Sequence, residues 1–135
     1  MDAVCLLIAG VIRATLPATE FSLAWDHSVE KTRWEEHYRI DGRGLELTEA
    51  RVQGMGAGME PPPGAVLQNG WWRWQPRRGA LAELRLTFST FTSDYRLCWN
   101  QRCEELAAVL GHRPADGEVV SLRPCAATAS IQPAT

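Results

Sequence analysis

Ten consecutive residues carry most of the side chains that a small site would need. His27-Ser28-Val29-Glu30-Lys31-Thr32-Arg33-Trp34-Glu35-Glu36 holds one histidine, three carboxylates, two cations and an indole. His27 can act as acid, base or ligand near neutral pH. Glu30 and Lys31 can pair with each other or hold a charged ligand. Glu35 and Glu36 are adjacent, so on a strand they point to opposite faces and make no ready-made carboxylate pair. Glu36 shares its face with Trp34 and Tyr38. A carboxylate among aromatics needs a partner, and Arg51 on the following strand is the expected one. The plain alternative for the block is a solvated turn with one structural ion pair.

A second unusual segment answers the first. Gly54-Met55-Gly56-Ala57-Gly58-Met59-Glu60-Pro61-Pro62-Pro63-Gly64 has four glycines and three consecutive prolines. Glycine permits positive φ and close backbone approach, whereas a triproline is stiff and extended. Such a loop suits the cradling of a ligand, with Gly56, Gly58 and Glu60 as its candidate contacts. It also suits a wide turn between sheets. It is no dinucleotide fingerprint, because no helix follows and the third glycine is misplaced. No Gly-x-Ser-x-Gly elbow exists for a nucleophilic serine, and Ser28 beside His27 is only sequence adjacency.

The elements that must position these residues read as short strands. Phe21, Leu23 and Trp25 alternate with Ser22, Ala24 and Asp26, the period of a half-buried strand. Trp34, Glu36, Tyr38 and Ile40 repeat the pattern. Asp41-Gly42 signals a hairpin into Leu45, Leu47, Ala50 and Val52. Asn69-Gly70 marks a turn before Trp71-Trp72-Arg73-Trp74, where Trp72 and Trp74 share a face and read as core. Leu84 to Phe88, Tyr95 to Trp99 and Val119 to Leu122 complete the set. Met1 to Arg13 reads as one buried first strand; its apolar run is too short to span a membrane and lacks the basic start of a signal peptide, the alternative reading, for which Ala14 and Ala18 would be the small residues near a cleavage site. Only Glu104 to Leu110 reads as helical. The expected fold is all-β, an antiparallel sandwich or flattened, partly open barrel of about eight short strands with at most one short helix. A single domain is expected over residues 1–127, with a frayed tail over 128–135.

Four cysteines punctuate this pattern. If Asn100-Gln101 is a two-residue turn, Cys98 faces Cys103 in a non-hydrogen-bonded pair, where Cα atoms approach to about 4.5 Å. That lies within disulfide range. Cys5 and Cys125 sit on the first and last strands and are candidates for a second bridge. The alternative is four reduced thiols in a reducing cytoplasm.

Bulk properties set the limits. A chain of 135 residues is one domain's worth and needs no metal to fold. Its net charge of −2 lacks the basic excess of a nucleic-acid partner. No cofactor is expected. Six tryptophans are many for this length, and indoles serve both cores and binding surfaces.

The long motifs resemble a known family. Phe21 to Glu36, with Gly56-Ala57-Gly58-Met59-Glu60-Pro61-Pro62-Pro63-Gly64, Gly70-Trp71-Trp72 and Tyr95-Arg96-Leu97-Cys98-Trp99, is similar to an uncharacterised bacterial family, domain of unknown function eighteen-fifty. The resemblance runs roughly from Val4 to Cys125. It implies no established activity. It does imply genes beside tripartite ATP-independent periplasmic (TRAP) transporters of the TAXI-receptor type, and a periplasmic or membrane-associated setting. Relatives with an N-terminal hydrophobic anchor are also implied, whereas this chain opens almost directly on its first strand.

The combined expectation is a non-catalytic accessory of an organic-acid transporter, meeting a permease, a solute receptor or a small organic acid. Its candidate contacts are His27, Ser28, Glu30, Lys31, Trp34, Glu36, Gly56, Gly58 and Glu60. The second expectation is a binding module for a metal or carboxylate ligand, with His27, Glu30, Glu36 and Glu60 as donors. A hydrolase is the third.

Overall fold

The computed structural model describes residues 2–26, 32–42, 44–53, 62–76 and 79–126. Its described residues form eleven strands and one short helix: β1 (Asp2–Ile8), β2 (Val11–Leu16), β3 (Glu20–Asp26), β4 (Arg33–Asp41), β5 (Gly44–Gln53), β6 (Val66–Gln68), β7 (Trp71–Trp74), β8 (Leu84–Thr87), β9 (Arg96–Trp99), β10 (Arg102–Glu105), α1 (Leu106–Leu110) and β11 (Val119–Ala126). They build two antiparallel sheets, ordered β2-β1-β11-β8 and β10-β9-β3-β4-β5-β7-β6. The chain is thus an all-β sandwich and not a closed barrel.

Three differences from the sequence reading have physical causes. The first apolar run is a hairpin, not one strand, because Ala9 and Gly10 both take positive φ (51° and 79°) and reverse the chain. The helix is confined to Leu106–Leu110, since Glu104 and Glu105 stay extended and pair with Leu97 and Arg96. The edge strands β6 and β10, too short to show a period, raise the count above eight. The expected frayed tail lies outside the described residues.

The core forms where the sheets face each other. Val4, Leu6 and Ile8 of β1 and Val120 and Leu122 of β11 meet Phe21, Leu23, Tyr38, Leu45, Leu47, Leu97 and Trp99 of the large sheet. Leu106 and Leu110 of α1 close one side. Each fully buried leucine contributes about 1.5–3 kcal/mol. The strands from the two ends of the chain are the central pair of the small sheet, and Cys5–Cys125 joins them with a Cα separation of 5.9 Å. A second disulfide, Cys98–Cys103, crosses the β9–β10 hairpin at 4.0 Å between Cα atoms.

This core underlies only part of the large sheet. The core cluster stops at Leu23 and Tyr38, with Trp25 and Tyr95 packed against it, and takes in neither Trp34, Glu36, Ala50 and Val52 nor Trp72 and Trp74. One end of the large sheet therefore extends past the main core, with Ala50 and Val52 buried there in their own right.

Candidate functional site

Strand register builds this end from side chains that alternation alone had placed separately. Across β3, β4, β5 and β7, one row reads Trp25, Trp34, Val52, Trp72, and the next reads Leu23, Glu36, Ala50, Trp74. The alternation of each strand aims all of these at one face. Trp25 and Trp34 stack at 6.2 Å between ring centroids, Trp34 meets Trp74 edge-on at 6.3 Å, and Trp25 meets Tyr95 at 6.4 Å. The rings of β4 and β7 converge over β5, whose small Ala50 leaves them room. All four rings are half-buried. The result is an aromatic ribbon across the sheet.

Glu36 lies on the same face, two residues from Trp34. It is half-buried and accepts a 2.6 Å hydrogen bond from the Tyr38 hydroxyl. Among the described residues no cation approaches it. The Trp72 indole Nε1 is buried and likewise has no acceptor among the described residues.

The expected Glu36–Arg51 pair is overturned. Arg51 lies between Ala50 and Val52, which face inward, so its own side chain faces outward and lands opposite Glu35. Its Nη2 and Nε donate to Glu35 Oε1 at 2.6 and 2.8 Å, and its guanidinium lies over the Trp71 ring at 4.4 Å. The outer face continues as ion pairs: Arg33–Asp26, Arg73–Glu49 and Arg39–Glu46. Glu49 and Glu46 hold the Arg73 and Arg39 guanidiniums above their ordinary range by hydrogen bonding and charge. An open groove of about 820 Å³ beside Thr48, Gly64 and Trp74 is lined by these arginines and glutamates. Their charges are already paired with each other.

The ribbon end is also where the two unusual sequence segments attach. Asp26, which precedes the first segment, and Arg33, within it, pair with each other next to Trp25 and Trp34. Gln53, which precedes the second, follows Val52 and pairs with Trp71. Of the candidate contacts, the structure brings Trp34 and Glu36 together. His27, Ser28, Glu30, Lys31, Gly56, Gly58 and Glu60 lie outside the described residues. Among the described residues no group of three His, Cys, Asp or Glu side chains could hold a metal ion.

Alternation along the sequence reads Trp72 and Trp74 as core and gives Trp25 and Tyr95 no role in a site. The signal that could have found them was present, because each of the three tryptophans sits at an inward position of its strand. Only the strand order, with β7 beside β5, joins them.

The model of one family, a domain of unknown function named DUF1850, matches residues 21–106. The chain belongs to the DUF1850 family. The matched span holds nearly all of the large sheet, including the whole aromatic ribbon, while β1, β2 and β11 of the small sheet lie outside it. What the DUF1850 match covers is therefore the sheet that carries the candidate site. Neither a curated protein nor a solved structure matches the chain. No helix among the described residues is long and apolar enough to cross a membrane.

Proposed function

We propose that this DUF1850 domain is a non-catalytic binding module, an accessory of a TRAP-type organic-acid transporter that engages a partner through the ribbon end of its large sheet. One observation carries the reading: Trp34, Trp74 and the Glu36 carboxylate gather on a part of the inner face outside the main core, joined to it through Trp25, which packs on the core with Tyr95. Half-buried indoles of this kind are typical anchors of protein interfaces. The two disulfides support an oxidising compartment, such as the periplasm. The transporter role rests on the gene neighbourhood that the family resemblance implies.

The test is co-purification from membranes of the native cells, followed by a native mass spectrum without reductant. Permease or receptor subunits accompanying the wild-type chain, and lost with Trp34→Ala and Trp74→Ala together, support the reading. A bare chain in both preparations would sink it. A chain carrying the mass of a small acid or metal ion would favour the ligand-binding alternative.

A further inference from the structure

The inner face of β4 and its outer face carry related chemistry, completed on one side only. On the outer face Glu35, Arg51 and Trp71 form a closed unit. The carboxylate takes two hydrogen bonds from the guanidinium, and the guanidinium lies on the indole. On the inner face Glu36 stands beside Trp34, with Trp74 two strands away, across Ala50, in the same row as Glu36. One Glu36 oxygen accepts the Tyr38 hydroxyl, and no described cation takes the other. A half-buried carboxylate among aromatic rings attracts a cation, both by charge and by the negative faces of the rings.

We infer that this inner-face unit receives an arginine side chain from a partner protein. The inference rests on the binding-module reading and narrows it. The same carboxylate repels a small organic acid, so the ribbon recognises the partner and not the transported anion. A guanidinium suits the position better than an ammonium, because it is planar, stacks on indole and presents a fork to a carboxylate. The chain's own Arg51 uses both properties on the opposite face of the same strand pair.

The experiment titrates the full chain with acetyl-Gly-Arg-Gly-amide while following tryptophan fluorescence. The lysine and citrulline versions of the peptide run in parallel. Saturable binding of the arginine peptide is expected, with the lysine peptide weaker. Glu36→Gln should weaken the arginine peptide by about tenfold, the loss of one charge-assisted contact. Glutamine keeps an acceptor for Tyr38, so this variant should melt with the wild type, and circular dichroism checks that. Citrulline binding as tightly as arginine overturns the inference, as does unchanged binding to Glu36→Gln or no saturation up to the solubility limit. Lysine binding equal to arginine overturns the choice of arginine. The two readings fail separately: if the Trp34 and Trp74 substitutions abolish co-purification but Glu36→Gln does not, the binding module stands and the arginine contact falls.

Discussion

At the residue scale, similar ion pairs differ in what they contribute. Arg51 is held by Glu35 and by the Trp71 ring, with side-chain exposures of 30% for Arg51 and 19% for Glu35. Arg85 also bonds a carboxylate at 2.6 Å, on Glu83, but is 73% exposed. Exposed pairs contribute little because water screens them and ordering long side chains costs entropy. Arg51→Met should therefore lower unfolding stability by about 1–2 kcal/mol, and Arg85→Met by under about 0.5 kcal/mol; urea melts of the two variants decide this. Tyr95 supplies a pH dependence. Burial, and then the Asp94 charge, raise its phenol above the usual range, and its hydroxyl donates to the Thr87 carbonyl. Below pH about 10 the phenol is neutral in both folded and unfolded chains, and its contribution is intact. As pH rises toward the higher folded value, the unfolded chain loses the proton first and stability falls. Urea midpoints measured from about pH 8 to 11 should fall less steeply above pH about 10 for Tyr95→Phe than for wild type. An identical slope would show that Tyr95 is not responsible.

At the element scale, turns fix the registers that place side chains. Asn100 and Gln101 both take positive φ (48° and 65°), so Trp99 faces Arg102 and Cys98 faces Cys103. This hairpin was legible because two-residue loops leave one register. Ala9-Gly10 makes the same kind of turn but hid inside an apolar run, since alanine rarely adopts positive φ. The two disulfides close very different loops, with separations of 5 and 120 residues. On the chain-entropy model, the short loop gains about 2 kcal/mol and the long one about 5 kcal/mol. Replacing Cys5 and Cys125 by serine should thus cost far more thermal stability than replacing Cys98 and Cys103; equal losses in a calorimeter would reject that model here.

At the scale of the whole molecule, the two sheets divide the work. The small sheet is closed by strands from both chain ends and seals the main core, whereas the large sheet extends past it and carries the ribbon. Stability and binding should therefore separate. Leu6→Ala, at a position with no exposure, should cost about 2–5 kcal/mol yet leave peptide binding intact below its melting temperature. Glu36→Gln should do the reverse. Parallel melts and titrations of both variants check the separation.

Residue alternation by itself determined the class of this fold and the face on which most strand residues lie. Phe21, Leu23, Tyr38 and Leu47 were legible as core, because period two fixes a side chain's face whatever the partner strand. The same rule, applied to Arg51, would have sent it away from Glu36. Strand order is different, because no local pattern encodes which strand lies next to which. That β7 packs beside β5, that β8 leaves its sequence neighbours for the small sheet, and that Ala50 lets Trp34 meet Trp74 are outcomes of non-local packing. The aromatic ribbon exists only at that level. Its residues are spread from Trp25 to Tyr95 along the chain; hydrogen-bonded rows across four strands bring the tryptophans to one face, and Tyr95, just before β9, joins them through its contact with Trp25.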